Sequence, residues 1–270
     1  MDSAVIPLTV DSLPKLRLAR HSRFDNLTLR VHVTENAEFC WRVDGTHEYI
    51  VGGRWRKRRD IAHILEMAQG PHRDALLSHL LAVFKRTGFH LAVVACDDDS
   101  LHTSFYVGHG FETLDKIIEL ERYSRGSSPV EGRETVRVYR PADFEAVMRV
   151  DEESFPWLWQ NSREEFDWYS SLPEVEVYVA ESSEGVVGYA GITIYGMNGH
   201  LDRIAVSPAW QHRGYGSALL SFVIRRMEHR RVKRIGLSTQ MENTKSQSLY
   251  RRFGFRHTSR SQVVCGVRLE

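Results

Sequence analysis

Apolar residues in the second half of the chain follow two spacings, one typical of strands and one typical of helices. Alternating apolar positions predict strands, and stripes such as Leu220, Val223 and Met227 predict helices. In chain order the predicted elements are a strand (135–139), a helix (142–153), two strands joined by a tight turn (176–181 and 186–195), a strand (200–206), a helix (217–230), a strand (234–239), a helix (243–252) and a strand (261–269). This order predicts a mixed α/β sheet flanked by helices.

A polar segment interrupts the pattern in the middle of the chain. Residues 121–137 contain two glycines, one proline and several serines, and they show no apolar periodicity. The chain of 270 residues also exceeds the usual size of one domain. We therefore predict an N-terminal extension (1–25), a first domain (26–122), a linker (123–134) and a second domain (135–270). The alternative is a long surface loop within one domain.

The two halves share a pattern that indicates an internal repeat. When residues 75–77 are placed beneath residues 218–220, both copies continue as an amphipathic helix, a short apolar strand, a polar stretch and an aromatic-rich ending. The two endings, 105–111 and 249–255, have tyrosine, glycine and phenylalanine in register. Because the order of the elements agrees as well, we predict two similar folds in tandem.

Composition and charge argue against several classes of protein. The net charge is +1, and a chain with 26% charged residues and this balance has no general affinity for nucleic acid. Cys40, Cys96 and Cys265 are far apart and form no CxxC pair, so neither a disulfide framework nor a zinc site is predicted. No stretch approaches the roughly 20 apolar residues of a membrane span. We expect a cytoplasmic protein with no metal, no membrane contact and no nucleic-acid partner.

A loop with two glycines, residues 211–216, lies between the predicted strand 200–206 and the predicted helix 217–230. The first N–H groups of a helix have no partner within the helix, and the macrodipole is positive there, so a pyrophosphate can bind at this point. Gly214 and Gly216 lack a Cβ, which lets backbone amides approach phosphate oxygens. A tight turn without a ligand is the alternative.

Two motifs resemble those of a known family. Residues 201–220 resemble the acetyl-coenzyme A signature of the GCN5-related N-acetyltransferase (GNAT) superfamily, and Gln211, Gly214 and Gly216 fill the defined places of its loop. Residues 243–255 resemble the family's later helix and its aromatic ending, at the family's spacing. The resemblance implies an α/β (α+β) fold of two tandem GNAT-like domains. Each domain would be a mixed, mostly antiparallel sheet flanked by helices.

The resemblance also implies a site and a reaction. Acetyl-coenzyme A would be the cosubstrate, an amine would attack its acetyl carbon directly, and a backbone N–H near Val206 would stabilise the oxyanion. Tyr250 would donate a hydrogen bond to the departing sulfur and Asn243 would bind the pantetheine arm. At about 100° per residue, both share one helix face with Ser246. The predicted cofactor-binding residues are Ile204, Ala205, Val206, Gln211, His212, Arg213, Gly214, Tyr215, Gly216, Ser217, Asn243 and Ser246.

The acceptor amine must lose a proton before it attacks, and we predict that Asp202 accepts it, directly or through water. Two alternatives are open: Asp202 is paired with Arg203 or exposed at the rim, or Glu176 or Glu181 serves as the base. A basic group at residues 225–234 is expected near the cofactor, where one or two of its cations would meet the 3′-phosphate.

The first half lacks the features that favour phosphate binding. Pro71 and Arg73 stand where the second half has its two loop glycines, and proline has no N–H while arginine carries a bulky side chain. In the later helix Asp99 replaces Asn243 and His102 replaces Ser246, and Tyr106 alone persists. We predict that residues 26–122 keep the fold without binding the cofactor, and serve as a wall, as part of the acceptor site or as a dimerisation surface. Two working sites are the alternative.

The class of acceptor stays open. Residues 153–157 resemble a stretch of the family's ribosomal-protein and N-terminal peptide acetyltransferases, which implies a peptide α-amine. The aromatic residues between positions 157 and 169 would equally line a pocket for a small amine or cap the core. We predict an N-acetyltransferase, monomeric or homodimeric, that acts on a small-molecule or peptide amine. The alternative is a non-catalytic acetyl-coenzyme A sensor or an interaction scaffold.

Overall fold

The computed structural model describes residues 4–18, 22–98, 100–124 and 136–270, and the chain forms two compact units. The first unit contains Met1–Leu114 together with Val263–Glu270, and the second contains Asp115–Gln262. Each unit therefore includes one segment from the other half of the sequence.

The first unit is a sheet in which one pair of strands is parallel. Its elements are β1 (Val5–Pro7), α1 (Asn26–Glu35), β2 (Cys40–Val43), β3 (Tyr49–Arg54), β4 (Ile61–Met67), α2 (Arg73–Thr87), β5 (Leu91–Asp97) and α3 (Ser100–Gly108). The strand order is β1-β2-β3-β4-β5, and β4 and β5 form the parallel pair. The next strand, β6 (Glu112–Tyr123), begins in this unit and continues in the second.

The second unit repeats this plan. Its elements are β7 (Val136–Val138), α4 (Phe144–Ser154), α5 (Arg163–Ser171), β8 (Val175–Ser182), β9 (Gly185–Tyr195), β10 (Asn198–Val206), α6 (Tyr215–His229), β11 (Arg234–Gln240) and α7 (Thr244–Arg252). The strand order is β6-β11-β10-β9-β8-β7, and β10 and β11 form the parallel pair. The last strand, β12 (Arg256–Arg268), begins in this unit and ends in the first.

Alternation of side chains along the strands divides the core of the second unit between two faces of its sheet. Along β8, Tyr178 and Ala180 pack with the apolar stripe of α6, whereas Val177 and Val179 pack with residues of α4 and α5. Successive residues of a strand point to opposite faces, so α6 covers one face and α4 with α5 covers the other. The predicted amphipathic helix 217–230 thus buries its apolar side as the pattern required.

The internal repeat is visible in the lengths of the elements. The helices α2 and α6 both have 15 residues, β5 and β11 both have 7, and α3 and α7 both have 9. The last pair of the parallel strands is Ile64 with Val94 in the first unit and Leu201 with Leu237 in the second. One unpaired bulge residue follows in each case, Leu65 or Asp202. The predicted fold class, two tandem mixed sheets flanked by helices, is confirmed.

The compact units do not coincide with the expected domains of 26–122 and 135–270. Residues 1–25 are not a separate extension, because β1 pairs with β2 and Leu8 is buried in the first unit. Residues 115–123 belong to the second unit, since β6 pairs with β11 from Ile117 to Tyr123. Residues 263–270 belong to the first. Most of the expected linker, 125–134, lies outside the described residues.

One helix of the second unit was not predicted. Ser162 caps α5 by accepting a hydrogen bond from the N–H of Glu165, and Phe166 is its only buried residue. A helix of 9 residues with one buried side chain has too weak an apolar stripe to be recognised from spacing. In the described part of the chain, every helix is too short or too polar to span a bilayer.

Candidate active site

The strands β10 and β11 separate halfway along their length and leave a gap, which we call the strand gap. Their parallel pairing stops at Leu201 and Leu237. On the other side of β10, Ser207 N–H donates to Val187 O across 2.9 Å. Hydrogen-bonded pairs alternate along an antiparallel ladder, so the amides of Ile204 and Val206 point away from β9, toward the gap. Ala205 has its side chain buried against α4.

The start of α6 forms a cavity beside this gap, which we call the α6 cavity. It has a volume of about 460 Å³ and is lined by His212, Gly214, Gly216, Ser217, Leu249 and Arg252. Gly214 precedes the helix with φ of 90°, and His212 has φ of 60°, a conformation that non-glycine residues rarely adopt. The loop thereby turns the first N–H groups of α6 toward the cavity.

Three predicted cofactor residues have structural roles around this cavity. The Gln211 side chain donates to Val206 O across 3.0 Å and ties the loop to β10. The guanidinium of Arg213 stacks 4.7 Å above the ring of Trp210, and Tyr215 is buried in the core. Only the backbone of Tyr215 is therefore available to a ligand at the helix start.

Arg252 is the cation of the α6 cavity, and sequence reasoning missed it. Its Nη2 donates to the Ser217 hydroxyl across 2.8 Å, which joins the end of α7 to the start of α6. The basic group 225–234, which we expected near the cofactor, lies at the other end of α6, and a helix of 15 residues spans about 22 Å. Arg226 in that group is bound to Glu176 instead.

The residues of the α6 cavity and the strand gap fit acetyl-coenzyme A. A Cβ added at Gly214 would meet no atom within 4 Å, so the loop leaves open space where phosphates would bind. The helix start and Arg252 supply positive potential for a pyrophosphate. The amides of Ile204 and Val206 offer hydrogen bonds to an extended amide-containing arm, as an additional strand would.

The structure brings Asn243, Ser246 and Tyr250 together on α7. The Asn243 side-chain oxygen caps the helix by accepting from Ser246 N–H across 3.2 Å, and this cap leaves the amide nitrogen as a donor. Tyr250 is buried, and Ser246 lies about one turn before it on the same helix. Burial raises the pKa of Tyr250 to about 12. A tyrosine with this pKa is protonated at neutral pH and available as a hydrogen-bond donor.

Asp202, the predicted base, is surrounded by hydrogen-bond donors. Its Oδ2 accepts from Tyr169 and Thr193, each across 2.6 Å, and its Oδ1 lies 2.8 Å from His200 Nδ1. It is not paired with Arg203, contrary to one of the alternatives, because Arg203 binds Asp151. Burial, followed by the charge of Asp202, raises the pKa of Tyr169. Tyr169 therefore remains a donor to this carboxylate.

The two alternative bases are held by arginines. Glu176 accepts two hydrogen bonds from Arg226, at 2.6 and 2.8 Å, and this contact lowers the pKa of Glu176. Glu181 accepts from Arg137 across 2.5 Å, which lowers its pKa in the same way. Carboxylates stabilised as anions by arginine are weak proton acceptors, so neither fits the role of base.

A buried charged network, which the sequence did not reveal, lies behind the strand gap. Asp151 on α4 is 1% exposed and accepts from Arg203 Nε across 2.7 Å and from the Tyr189 hydroxyl. Arg203 also donates to Trp159 O and lies 3.8 Å above the ring of Phe155. One strand residue thus connects β10 to the aromatic loop between α4 and α5. No motif connects these positions in sequence, since they lie 52 residues apart.

The first unit has a carboxylate at the corresponding helix start. His72 N–H donates to Glu48 Oε2 across 2.9 Å, and its ring Nδ1 lies 2.6 Å from Oε1. Glu48 is buried, and a Cβ added at Gly70 would collide with it. An internal anion at this position would repel a phosphate. This contact supports the prediction that the first half has lost phosphate binding.

The gap between β4 and β5 in the first unit is bridged by the chain itself. Arg23 N–H donates to Glu66 Oε2 on β4 across 2.9 Å, and Arg23 Nη2 donates to Ala95 O on β5 across 2.7 Å. Tyr106 keeps the place of Tyr250 and is buried. His102 hydrogen-bonds Gln69 across 2.7 Å, and Asp99 lies outside the described residues.

Comparisons with known proteins show similarity to one family. Residues 144–255 match the model of the acetyltransferase (GNAT) family. A Bacillus subtilis (strain 168) protein, provisionally named as a ribosomal-protein-alanine N-acetyltransferase, is 25% identical over 122 residues. The aligned region covers 44% of this chain and 78% of that protein. The chain also resembles the crystal structure of a GCN5-related N-acetyltransferase from Sphaerobacter thermophilus, over 99% of this chain and 96% of that one, with a TM-score of 0.73 and 16% identity.

A second solved structure shares the tandem arrangement. This structure is a tandem GNAT protein from the clavulanic acid biosynthesis pathway, with a TM-score of 0.62 and 12% identity. The superposition covers 100% of this chain and 99% of that one. At these identities the two structures show a common fold over the whole chain. The family match and the two motifs together show that residues 144–255 match the GNAT acetyltransferase family, and the two solved structures show the same fold over the whole chain.

Proposed function

We propose that the second unit transfers the acetyl group of acetyl-coenzyme A to a primary amine. The observation that carries the proposal is the α6 cavity, which is open at the start of a helix. The loop 207–214 connects this helix directly to β10, the strand that borders the strand gap. The walls of the cavity combine free helix N–H groups, Arg252 and two glycines, as the binding of a pyrophosphate requires. Tyr250, protonated and buried on α7, supplies a hydrogen-bond donor.

Each part of the site has one task in this reaction. The acetyl thioester, when bound, supplies an activated carbonyl group. The amides at the start of α6 and Arg252 hold the pyrophosphate, and the amide of Val206, the nearer one to that loop, holds the pantetheine arm. Holding both reactants in one place makes the bimolecular step effectively unimolecular. The Ile204 N–H, deeper in the strand gap and two residues before Val206, is the donor that would stabilise negative charge on the acetyl oxygen.

Tyr250 acts as a hydrogen-bond donor to the sulfur in this proposal. Its pKa of about 12 lies well above the value of about 8.5 for a thiol, so complete proton transfer to the thiolate is uphill by roughly 5 kcal/mol. A hydrogen bond that strengthens as charge develops on sulfur does not have this cost. The role predicted from the motif is therefore retained, with partial proton transfer only.

The acceptor is a primary amine of a small molecule or a peptide. The loop between α4 and α5 presents Trp157, which is 49% exposed, while Trp159 donates through Nε1 to Asp115 across 2.7 Å. The name of the B. subtilis relative makes an N-terminal α-amine one class to test. We place the reaction in the cytoplasm, because Cys40, Cys96 and Cys265 form no disulfide in the described part of the chain.

The competing proposal is a protein that binds acetyl-coenzyme A without turnover. Calorimetry with coenzyme A and thiol release with a mixed library of small amines and peptides separate the two. Binding together with thiol release supports the transferase, and binding without release by any amine supports the sensor. Absence of any coenzyme A uptake would reject both.

Tyr250→Phe should lower kcat by about 10- to 100-fold, because one hydrogen bond to developing charge is lost. The dissociation constant of coenzyme A should change little. The matched control is Tyr106→Phe at the equivalent position of the first unit, for which we expect no change in kcat. An unchanged rate in Tyr250→Phe, measured by thiol release, would remove Tyr250 from the mechanism.

A further inference from the structure

His200 and Asp202 form a hydrogen-bonded pair on β10, at the point where the strand gap begins. His200 Nδ1 lies 2.8 Å from Asp202 Oδ1, and the two side chains are 45% and 26% exposed. A carboxylate only accepts hydrogen bonds, so Nδ1 carries the hydrogen and the neutral ring has its lone pair on Nε2. No side chain in the described residues hydrogen-bonds Nε2.

Neighbouring residues hold this pair in place. The second oxygen of Asp202 accepts from Tyr169 on α5 and from Thr193 on β9. Opposite His200 on β11 stands Gly236, where an added Cβ would come within 3.3 Å of the ring. The glycine therefore leaves space for the imidazole next to the last parallel pair. Both oxygens of Asp202 already accept hydrogen bonds. The carboxylate is therefore better suited to orient the histidine than to accept a proton from the substrate.

The first unit offers an internal comparison. His63 precedes Ile64 as His200 precedes Leu201, so the two histidines occupy equivalent positions before the last parallel pair. At the position of Asp202 the first unit has Leu65. His63 packs edge-on against Trp55, and burial, followed by the charge of Arg23, lowers its pKa to about 3. The histidine has a carboxylate partner and solvent access in the second unit, where none of the described residues bridges the strand gap.

We propose that His200 is the general base of the second unit and that Asp202 is its positioning residue. The inference rests on the proposed function. Nε2 takes one proton from the ammonium group of the acceptor, directly or through a bridging water, and the nitrogen lone pair then forms the C–N bond with the acetyl carbon. The C–S bond breaks, its electron pair stays on sulfur, and the sulfur receives the second nitrogen proton. The proton on His200 passes to water.

Several titratable groups surround His200. Asp202 faces it from its own strand, Tyr169 from α5, and Tyr195 with its partner Glu174 from the end of β9. On the far side of Gly236 lies Glu121, paired with Arg234 across 2.7 Å. A general base needs a free lone pair to accept a proton, so kcat/KM should fall toward acid pH.

His200→Gln should lower kcat/KM by about 100-fold or more, the usual contribution of a general base, and should remove the acid limb of its pH profile. The dissociation constant of coenzyme A should stay unchanged, which shows that the variant is folded. The matched control is His257→Gln, an exposed histidine on β12. Added imidazole should restore part of the rate of His200→Ala. Asp202→Asn should lower kcat and shift the acid limb of the pH profile of kcat/KM.

Three results would contradict parts of this proposal in different ways. A retained acid limb in His200→Gln, while Tyr250→Phe is slow, would overturn the base and leave the transferase standing. An unchanged pH profile in Asp202→Asn would remove Asp202 as the positioning residue. Coenzyme A binding without thiol release by the wild type with any amine would overturn both the base and the proposed reaction.

Discussion

Replacing Gly216 with leucine is expected to weaken coenzyme A binding by about 100-fold or more. Gly216 is the second residue of α6 and lines the α6 cavity, where a Cβ alone would lie 3.6 Å from Leu249. A Cβ therefore makes an ordinary contact, but the rest of a leucine side chain extends into the cavity. Loss of two charge-assisted hydrogen bonds at about 1.5–3 kcal/mol each corresponds to at least this factor. Calorimetry measures it.

The matched control for this prediction is Arg73→Leu, at the equivalent position of the first unit. We expect no change in coenzyme A binding, because Glu48 already fills the start of α2. Thermal unfolding of both variants tests whether the fold is intact. Equal losses of affinity in the two variants would contradict the assignment of the cofactor site to the second unit alone.

Asp151→Ala is expected to lower the free energy of unfolding by about 3–5 kcal/mol. Asp151 and Arg203 are 1% and 9% exposed, and removing one partner of a buried ion pair leaves the other charge without compensation. The Tyr189 hydroxyl and the backbone N–H of Asn161 lose their acceptor in the same change. Denaturant unfolding measures the loss, and the KM of the acceptor should rise as the aromatic loop is released.

Two controls isolate the buried charge. Glu145→Ala breaks the pair of Glu145 with Arg163, which is largely exposed, and should change the stability little. The double variant Asp151→Ala with Arg203→Met removes both charges, so it should recover part of the loss of the single variant. If the double variant is destabilised by the sum of the two single changes, the network does not act as a unit.

The two units show how one fold can carry an open and a closed version of the same cleft. In both, the parallel pair ends at one residue pair and a bulge follows. In the first unit Glu48 lies at the helix start and Arg23 bridges the diverging strands. In the second, the equivalent places are the α6 cavity and the strand gap. The difference is made by a few side chains, because the backbone plan is shared.

The sequence by itself predicted most elements of the second half and the position of the loop with two glycines. Alternation and helical spacing are local properties, so the strands around 186–206 and the helix 217–230 were predicted within a few residues of β9, β10 and α6. The loop glycines and the face shared by Asn243, Ser246 and Tyr250 follow from motifs of short spacing. The roles of these residues in binding and catalysis stay predictions that the variants above test.

Only the tertiary structure decided which distant residues meet. Arg252 reaches Ser217 because α6 and α7 pack together, and Asp151 reaches Arg203 because α4 covers one face of the sheet. The partners of Asp202, and the segments that each unit takes from the other half, depend in the same way on strand order. Hydrogen bonds and charges act over a few ångströms in space and carry no periodic signal along the chain, so local patterns could not reveal them.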